Sequence, residues 1–390
     1  FQKIIEDLDF AIQWLPEAGS EEANRLNKDI ARHVKARFCL NEGTHYKYHD
    51  ELEYASEAEK WLQMAATESD KLITSGRYEI YNTGHPQEDY FNMYRIDDKS
   101  DLKEAVLYVD YKTNILEHNM AAAGREAGCG FSKSFVESFL CSDGLPISLS
   151  NKYLGDETMR KETANRDPRL KQLILTNDFP TNVTDDLKDS TFVVNEDEFI
   201  TQHCFTGYRP IKGFNPIYSQ ALYMKSSFDG IAYRYAETLL INAEAKAELN
   251  TITNADLDRT VNQLRDRVGM PHLTVNVGFT DPKWPDWGYS LSPILQEIRR
   301  ERCIELAGEG FRFNDLKRWK AGKVLNNVLT YVGKRKPDGN LAIVYPNYTN
   351  PDLSYQAGKS RTWEDKMYLY PIPTGELQRN PQLLPQNPGW

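Results

Sequence analysis

No run of about twenty apolar residues, the length that a membrane-spanning helix needs, occurs in this chain. An excess of positive charge is missing as well, because 47 lysines and arginines face 57 aspartates and glutamates, for a formal net charge of −10. Nucleic-acid binding depends on lysines and arginines that neutralise phosphates. The sequence therefore predicts no membrane-spanning segment and no nucleic-acid partner, and it leaves neutral and cationic solutes open.

Cysteine is sparse, and the motifs of common enzyme sites are missing. The five cysteines show neither CxxC spacing nor a Cys/His ligand pattern, which argues against a disulfide framework and a zinc site. The sequence contains no P-loop, GxGxxG, HExxH or Ser/His/Asp order, so we predict no enzyme, no catalytic residue and no metal. The acidic run 196–198 offers oxygen ligands to calcium but lacks the spacing and the glycine of an EF-hand, and we predict no cofactor.

Helical periodicity dominates the front of the chain and returns towards its end. Stripes of apolar residues at helical spacing occur at 1–15, 28–40, 52–75, 236–247, 256–268, 292–308 and 312–320. Gly76 ends the clearest of these segments, as glycine often does at a helix C-terminus. Helix pairs with small contact residues are typical of tetratricopeptide scaffolds, although the spacing here is not strictly periodic. We therefore predict a mainly α fold of tetratricopeptide-like helix pairs with long loop-rich insertions and a few short strands.

The stretch between about 77 and 230 has a different character. Short apolar runs at 105–111 and 192–194 lie among glycine, proline, asparagine and aspartate, which predicts loops with short strands. An irregular region of this length in a compact domain is usually functional. We predict a single domain with helix pairs at 1–76, a loop-rich region facing a ligand or partner at 77–230, helix pairs at 231–320, and loops with a C-terminal strap at 321–390.

The tail at 368–390 reads YLYPIPTGELQRNPQLLPQNPGW and contains five prolines. Proline fixes φ and lacks an N–H, so this segment cannot be a helix interior or a central strand. Disordered tails are usually charged and poor in aromatic residues, whereas this one is apolar. We therefore expect an extended strap over a finished core that buries its own apolar side chains: Tyr368, Leu369, Tyr370, Ile372, Leu377, Leu383, Leu384 and Trp390.

The strongest internal pattern is ILQEIRRERCIELAGEGFRFNDLKRW at 294–319. The buried face marked by Ile298 continues, in steps of four and three, to Arg302 and then to Glu305. Buried charges must be paired and hydrogen-bonded, so we predict a structural role for Arg302 and Glu305. The alternative, a catalytic glutamate, needs a cleft and a second acid at a defined separation.

This segment resembles the hallmark string of the SusD/RagB family, and further blocks resemble that family in the same order. They are RFCLNEGTHYKYH at 37–49, FVESFLCSDGLPI at 135–147, NRDPRL at 165–170, YRYAETLLINAEAKAEL at 233–249, VNQLRDRVGM at 261–270 and the tail. The ordered set spans nearly the whole chain and is highly specific. The resemblance implies a SusD-like α fold.

The resemblance also implies a function. It implies a nutrient-binding lipoprotein without catalysis on the extracellular face of the outer membrane, which captures an oligosaccharide and passes it to a SusC-like TonB-dependent β-barrel transporter. The chain opens inside an amphipathic helix, without the family's lipidated cysteine and first helices. We therefore expect further residues before Phe1 and an N-terminal lipid anchor outside this sequence.

Three alternatives to an oligosaccharide carrier remain. Some relatives take peptides, so a RagB-like peptide-binding import protein is one alternative. A tetratricopeptide-type adaptor would bind a protein on its concave helix surface, and the insertions would then be dispensable. A glycoside hydrolase would need two carboxylates in a cleft, and no motif nominates them.

Aromatic residues in the loop DPKWPDWGYS at 281–290 are the first ligand-binding candidates. Exposed rings of Trp284, Trp287 and Tyr289 would stack on sugars. The competing interpretation, which the sequence favours, is that these rings plug the loop against the helix pair.

Other candidates lie in the loop-rich region. Tyr81 and Tyr94 belong to the segment 77–95, and His118 and Asn119 precede the glycine-rich AAAGREAGCGFS. Such loops either mould to a ligand or serve as connections. The arginines of NRDPRL would bind hydroxyls or carboxylates, or else staple a turn through an Arg–Asp pair.

Overall fold

The computed structural model describes residues 1–20, 24–120, 130–177, 179, 182–183, 189–190, 199, 204–343 and 361–390. The apolar run 192–194, the acidic run 196–198 and residues 121–129 of the glycine-rich segment lie outside the described residues. The fold is mainly α with short strands, which confirms the predicted fold class.

The helices are α1 (Gln2–Trp14), α2 (Lys28–Tyr48), α3 (Ala58–Thr74), α4 (Asp89–Arg95), α5 (Lys133–Ser138), α6 (Met159–Thr163), α7 (Arg169–Leu173), α8 (Tyr218–Ala221), α9 (Tyr235–Glu248), α10 (Asn254–Asp258), α11 (Val261–Arg267), α12 (Pro293–Glu305), α13 (Arg312–Arg318) and α14 (Thr374–Arg379). The strands are β1 (Ala105–Val109), β2 (Asn182–Val183), β3 (Asp189–Ser190), β4 (Gly230–Arg234), β5 (Val332–Arg335) and β6 (Leu341–Ile343). Antiparallel pairs join β1 to β4, β2 to β3 and β5 to β6.

The front helices form a tightly packed pair. Helix α2 starts where the Asn27 side chain accepts hydrogen bonds from two backbone N–H groups of its first turn, at 3.0 and 3.1 Å. It runs eight residues beyond the predicted end at 40, because α3 packs along this added part. A Cβ on Gly43 would approach the Leu62 side chain to 2.8 Å, so this close contact requires glycine.

Helix α9 lies at the centre of the fold. Its residues are buried on nearly every side, as expected of a helix packed all round rather than on one face. Two contacts show that it runs parallel to α2. His33 contacts Glu237 near the start of both helices, and Lys47 contacts Glu248 near their ends. Helix α12 packs on another side of it.

Two predicted helices differ in extent. The helix predicted at 52–75 begins as an α-helix only at Ala58, after two short 3-10 turns. The segment 256–268 is divided between α10 and α11 at Thr260, and α10 starts with a capping box formed by Thr253 and Asp256. Periodicity locates the buried face but does not resolve a break of this kind.

The region 77–230 contributes most of a second core cluster. Short helices α4 to α7 supply residues to this cluster, which includes buried Tyr90, Phe139, Leu170 and Tyr208, and Val268 and Ile304 join it from the helix scaffold. Strand β1 occupies most of the predicted run 105–111 and pairs with β4, which leads directly into α9. The described residues of this region are therefore packed structure and not a set of detachable loops.

The prediction that the tail is an extended strap that buries its apolar side chains is wrong for most of the segment. Tyr368 is buried and Ile372 and Leu377 are half-buried, whereas Leu369, Tyr370, Leu384 and Trp390 are 46–69% exposed and Leu383 is also exposed. The tail is not extended throughout either, because α14 occupies Thr374–Arg379. The tail holds its own shape instead, since Gln386 exchanges two hydrogen bonds with the Ile372 backbone and Asn387 donates to the Tyr370 carbonyl. Amide side chains thus bond backbone groups that a proline-rich segment cannot pair with its own N–H groups.

The inward residues of α12 belong to a buried ionic network. Glu305 is fully buried and accepts hydrogen bonds from the guanidinium groups of Arg169 at 3.0 Å, Arg234 at 2.7 Å and Arg267 at 2.7 Å. Arg302 pairs with Asp315 at 3.0 Å and not with Glu305. Burial alone would raise the pKa of Glu305, but these guanidinium groups lower it well below the ordinary value.

The NRDPRL turn supplies one of these arginines. Arg169 pairs with Asp167 at 2.7 Å, as the stapled-turn interpretation required. The same guanidinium group also reaches Glu301 and Glu305 on α12. The turn therefore ties the region 77–230 to the helix scaffold.

Acid should destabilise the protein through this set of carboxyl groups. Neighbouring cationic side chains outweigh burial and lower the pKa values of Glu237, Glu248, Glu305, Glu309 and Asp315 below their ordinary values. A pKa that is lower in the folded state gives stability that is present above the unfolded-state value and lost as the pH falls. We expect the free energy of urea unfolding to decrease steadily from about pH 5 to about pH 3. A constant free energy of unfolding over this range would contradict the network.

Candidate functional site

Two cavities flank the segment that joins α12 to α13. The tryptophan cavity has a volume of about 990 Å³ and is lined by Phe135, Trp284, Trp287, Arg300, Phe313 and Lys323, among others. The lysine cavity has a volume of about 1100 Å³, and its lining includes Tyr94, Lys99, Met120, Lys212, Glu309 and Phe311. They share a wall formed by Phe131, Arg302, Gly308, Gly310, Phe311 and Asp315. Both have the size of cavities that hold small ligands.

Trp284 is a half-buried ring in the wall of the tryptophan cavity. Its indole N–H donates to Glu297 at 2.7 Å, which fixes the orientation of the ring. The loop is anchored beneath it, because Asp281 accepts hydrogen bonds from Arg300 at 2.6 Å and from Ser148 at 2.8 Å. An oriented, partly exposed indole on an anchored loop is suited to stack against a ligand.

Trp287 belongs to the core behind this wall. It is only 4% exposed and packs edge to face on Trp319, with the ring centroids 5.6 Å apart. Its indole N–H donates to Gln296 at 2.6 Å, and the Arg299 guanidinium lies 5.0 Å from the ring centroid. The ring offers almost no surface to a ligand.

Tyr289 lines neither cavity. It stacks on Tyr48 with the ring centroids 4.6 Å apart, and its hydroxyl donates to the Trp319 carbonyl. Burial raises the pKa of Tyr289 to about 12. Trp287 and Tyr289 therefore pack the 281–290 loop against the helices, as the competing interpretation expected.

Tyr94 and Tyr81 have different surroundings. Tyr94 lines the lysine cavity, but its hydroxyl donates to Glu309 at 3.2 Å and the Lys212 ammonium lies 4.7 Å from its ring centroid. Burial lowers the pKa of Lys212 to about 8. Tyr81 lines neither cavity, and its backbone N–H donates to Glu104 at 2.8 Å.

His118 and Asn119 hold two loops together. Nδ1 of His118 accepts from the Met120 backbone N–H at 3.0 Å, so Nε2 carries the proton and donates to the Phe228 carbonyl at 2.8 Å. Burial lowers the pKa of His118, which favours this neutral form. Asn119 accepts from the Met224 backbone N–H at 3.1 Å. Both residues are scaffold for a surface beside the lysine cavity.

The structure adds cavity residues that were not among the sequence candidates. Phe313 follows the inward helix in the hallmark string, is 43% exposed and lines the tryptophan cavity with Arg300. The sequence signal that could have indicated Phe313 is an apolar residue on the outer face of the short helix α13. Lys212 had no such signal, because its partners lie far away in sequence.

Metal-ligand clusters and membrane-spanning helices are both missing from the part of the chain that the structure describes. No group of three or more histidine, cysteine, aspartate or glutamate side chains is arranged to hold a metal ion there. No helix among these residues has the length and apolarity to cross a bilayer.

Comparison with known proteins identifies relatives along nearly the whole chain. The family model described as the SusD family matches residues 65–390. SusD-like protein P2 of Formosa agariphila is 32% identical over 166 residues, which cover 43% of this chain and 27% of that protein. The match thus spans about a quarter of that relative's length.

Solved structures show the same fold. The crystal structure of a SusD-like protein from Bacteroides fragilis has a TM-score of 0.69 at 25% identity and covers 99% of this chain and 70% of its own. A SusD-like carbohydrate-binding protein from Bacteroides fragilis has a TM-score of 0.65 at 22% identity, over 97% of this chain and 70% of its own. With the family model matched over most of its length, the chain belongs to the SusD family.

Proposed function

We propose that this protein captures an oligosaccharide at the cell surface and passes it to a SusC-like TonB-dependent β-barrel transporter without chemical change. A lipid anchor would hold it on the extracellular face of the outer membrane. Membership of the SusD family carries the proposal. A structural relative from Bacteroides fragilis is a carbohydrate-binding protein, which agrees with this assignment.

The tryptophan cavity is the proposed sugar site. Trp284 and Phe313 supply ring surface for the apolar faces of sugar rings, and Arg300 and Lys323 lie in the same wall. Rings with a few convergent polar groups are the usual composition of a small-ligand site. Its volume of about 990 Å³ is at the upper end of the range for drug-sized ligands, which suits several linked sugars.

Most carboxylates of this cavity serve the structure, which favours binding over hydrolysis. Asp281 is bound by Arg300 and Ser148, Glu137 lies 3.1 Å from the Lys283 ammonium, and Asp315 pairs with Arg302, so that only the exposed Asp286 forms no ion pair with a described residue. Glycoside hydrolysis uses a pair of carboxyl groups that flank the bond. Acids committed to ion pairs in the wall are poorly placed for that role.

Replacing Trp284 with alanine tests the sugar site. We expect the affinity for a bound oligosaccharide to fall by roughly 3- to 10-fold, because one aromatic contact is worth about 0.5–1.5 kcal/mol. Isothermal titration against panels of oligosaccharides and peptides provides the measurement. Trp14→Ala is the control, since Trp14 at the end of α1 is exposed and lines neither cavity.

Each result of this titration has a defined meaning. An unchanged affinity in Trp284→Ala would remove the tryptophan cavity from the proposal. Binding of peptides without binding of oligosaccharides would replace the sugar carrier with the RagB-like alternative. Purification from native outer membranes without a β-barrel partner would contradict the transporter part.

A further inference from the structure

The tryptophan cavity has more cationic than anionic side chains in its wall. Among the described residues, six lysines and arginines line it, against four aspartates and glutamates. Four of the six cations are paired with carboxylates: Lys283, Arg299, Arg300 and Arg302. The other two, Arg312 and Lys323, form no ion pair with a described residue, whereas Asp286 is the one carboxylate of the wall in that position. The uncompensated charge of the wall is therefore positive.

Arg302 has hydrogen-bond donors to spare where the two cavities meet. Its side chain is 4% exposed and lines both of them. Nε donates to Asp315 at 3.0 Å, but the buried Nη1 has no acceptor among the described residues. A buried donor without an acceptor is costly, and an oxygen atom of a ligand at this guanidinium group removes that cost.

The two unpaired cations sit on ordered backbone. Arg312 opens α13, and its guanidinium carbon lies 5.9 Å from the ring centroid of Trp287. Lys323 follows Gly322, whose backbone N–H donates to the Tyr368 hydroxyl at 2.8 Å. Neither side chain has to leave a carboxylate in order to meet an anion. A site arranged in advance in this way loses less conformational entropy when it binds.

The lysine cavity offers no comparable cations among its described residues. Its arginines are all paired with carboxylates: Arg37, Arg234, Arg302 and Arg318. Lys212 pairs with Glu309 at 2.5 Å, and Lys99 donates to the Ile96 carbonyl at 2.5 Å. The charges of this cavity hold the fold together, so cations available to a ligand are concentrated in the tryptophan cavity.

We propose that the oligosaccharide of the tryptophan cavity is acidic, with carboxylate or sulfate groups that meet Arg302, Arg312 and Lys323, an inference that rests on the proposed function. Trp284 and Phe313 take the sugar rings, and the cations take the acidic oxygens. The net charge of −10 favours neutral and cationic solutes. Exposed charges more than about 8 Å away are largely screened at physiological ionic strength, however, so the groups of the wall decide.

Oligosaccharides that differ only in their acidic groups test the proposal. One pair is tetragalacturonate and its methyl ester, and another is a sulfated galactan tetrasaccharide and its desulfated form. Acidic and neutral peptides complete the panel, and isothermal titration of the full chain measures each affinity. We expect the acidic member of a pair to bind at least about tenfold tighter than its neutral partner, because hydrogen bonds to charged groups are roughly twice as strong as neutral ones. The pair that shows the preference distinguishes a carboxylate from a sulfate.

A double variant tests the cations themselves. Arg312→Gln/Lys323→Met removes the two unpaired cations and leaves Arg302, whose replacement breaks a buried ion pair, untouched. We expect the preference for the acidic member to fall by at least about fivefold. Lys171→Met is the matched control and should keep the preference, because Lys171 is an exposed lysine that lines neither cavity and forms no ion pair with a described residue.

Each outcome decides between this proposal and the proposed function. Equal or tighter binding of the neutral members would overturn the acidic ligand and leave the proposed function standing. An acidic preference that the double variant keeps would also overturn the assignment. Binding of acidic peptides without any oligosaccharide would overturn both and favour the RagB-like alternative. If no acidic member binds, the acidic ligand is overturned, and the wider panel titrated with Trp284→Ala decides on the proposed function.

Discussion

Replacing Glu305 with alanine is expected to lower the free energy of unfolding by about 3–5 kcal/mol, the usual cost of removing one partner of a buried ion pair. Glu305 is fully buried, and its carboxylate is shared by Arg169, Arg234 and Arg267. Without it, three guanidinium groups remain in the core with fewer acceptors. Equilibrium urea unfolding followed by circular dichroism measures the effect.

The size of this loss depends on burial, and the chain offers a comparison. Glu6 on α1 pairs with Lys3 at 3.1 Å, but both side chains are largely exposed. We expect Glu6→Ala to change the stability by no more than about 0.5 kcal/mol. Glu305→Gln, which keeps the shape but removes the charge, should lie close to Glu305→Ala. A loss below about 1 kcal/mol in Glu305→Ala would mean that the network contributes little.

Replacing Trp287 with alanine is expected to cost about 3–5 kcal/mol, as large-to-small substitutions of buried tryptophan do. The ring packs on Trp319, so the variant leaves a cavity between the 281–290 loop and the helices. It also removes the indole N–H that donates a hydrogen bond to the Gln296 side-chain oxygen. Thermal and urea unfolding measure the loss, and Trp14→Ala serves as the exposed tryptophan control, expected within about 0.5 kcal/mol of wild type.

Sugar binding separates the two tryptophans of this loop. At a temperature where Trp287→Ala remains folded, we expect its oligosaccharide affinity to stay within about twofold of wild type, because the buried ring has almost no surface to offer. Trp284→Ala should show the opposite pattern, with weaker binding and a smaller change in stability. A strong loss of affinity in folded Trp287→Ala would return Trp287 to the ligand site.

Local patterns were sufficient for the helices and for the inward face of α12. Periodicity placed both ends of α9 and α12, and the C-terminal end of α3, within three residues, since an amphipathic helix records its buried face in its own spacing. The same spacing indicated that Arg302 and Glu305 face inward. It did not identify their partners, because Asp315 and Arg267 are brought to them only by packing.

The composition of the tail led to a wrong prediction, that its apolar side chains are buried. Its apolar side chains suggested burial, yet Tyr370 and Trp390 remain exposed while amide side chains hold the backbone. Hydrophobicity alone does not say whether a partner surface exists for a segment. That depends on which elements surround the segment in the fold.

Family and fold class thus followed from linear sequence, because hallmark strings and helical spacing are local properties of the chain. The location of the candidate sites needed tertiary structure. Trp284 and Trp287 are three residues apart and both border the tryptophan cavity, yet only Trp284 is partly exposed, because Trp319 and Gln296 cover Trp287. The paired backbones of His118 and Ser226 likewise lie about a hundred residues apart in sequence. Contacts of this kind are set by long-range packing, which no local pattern contains.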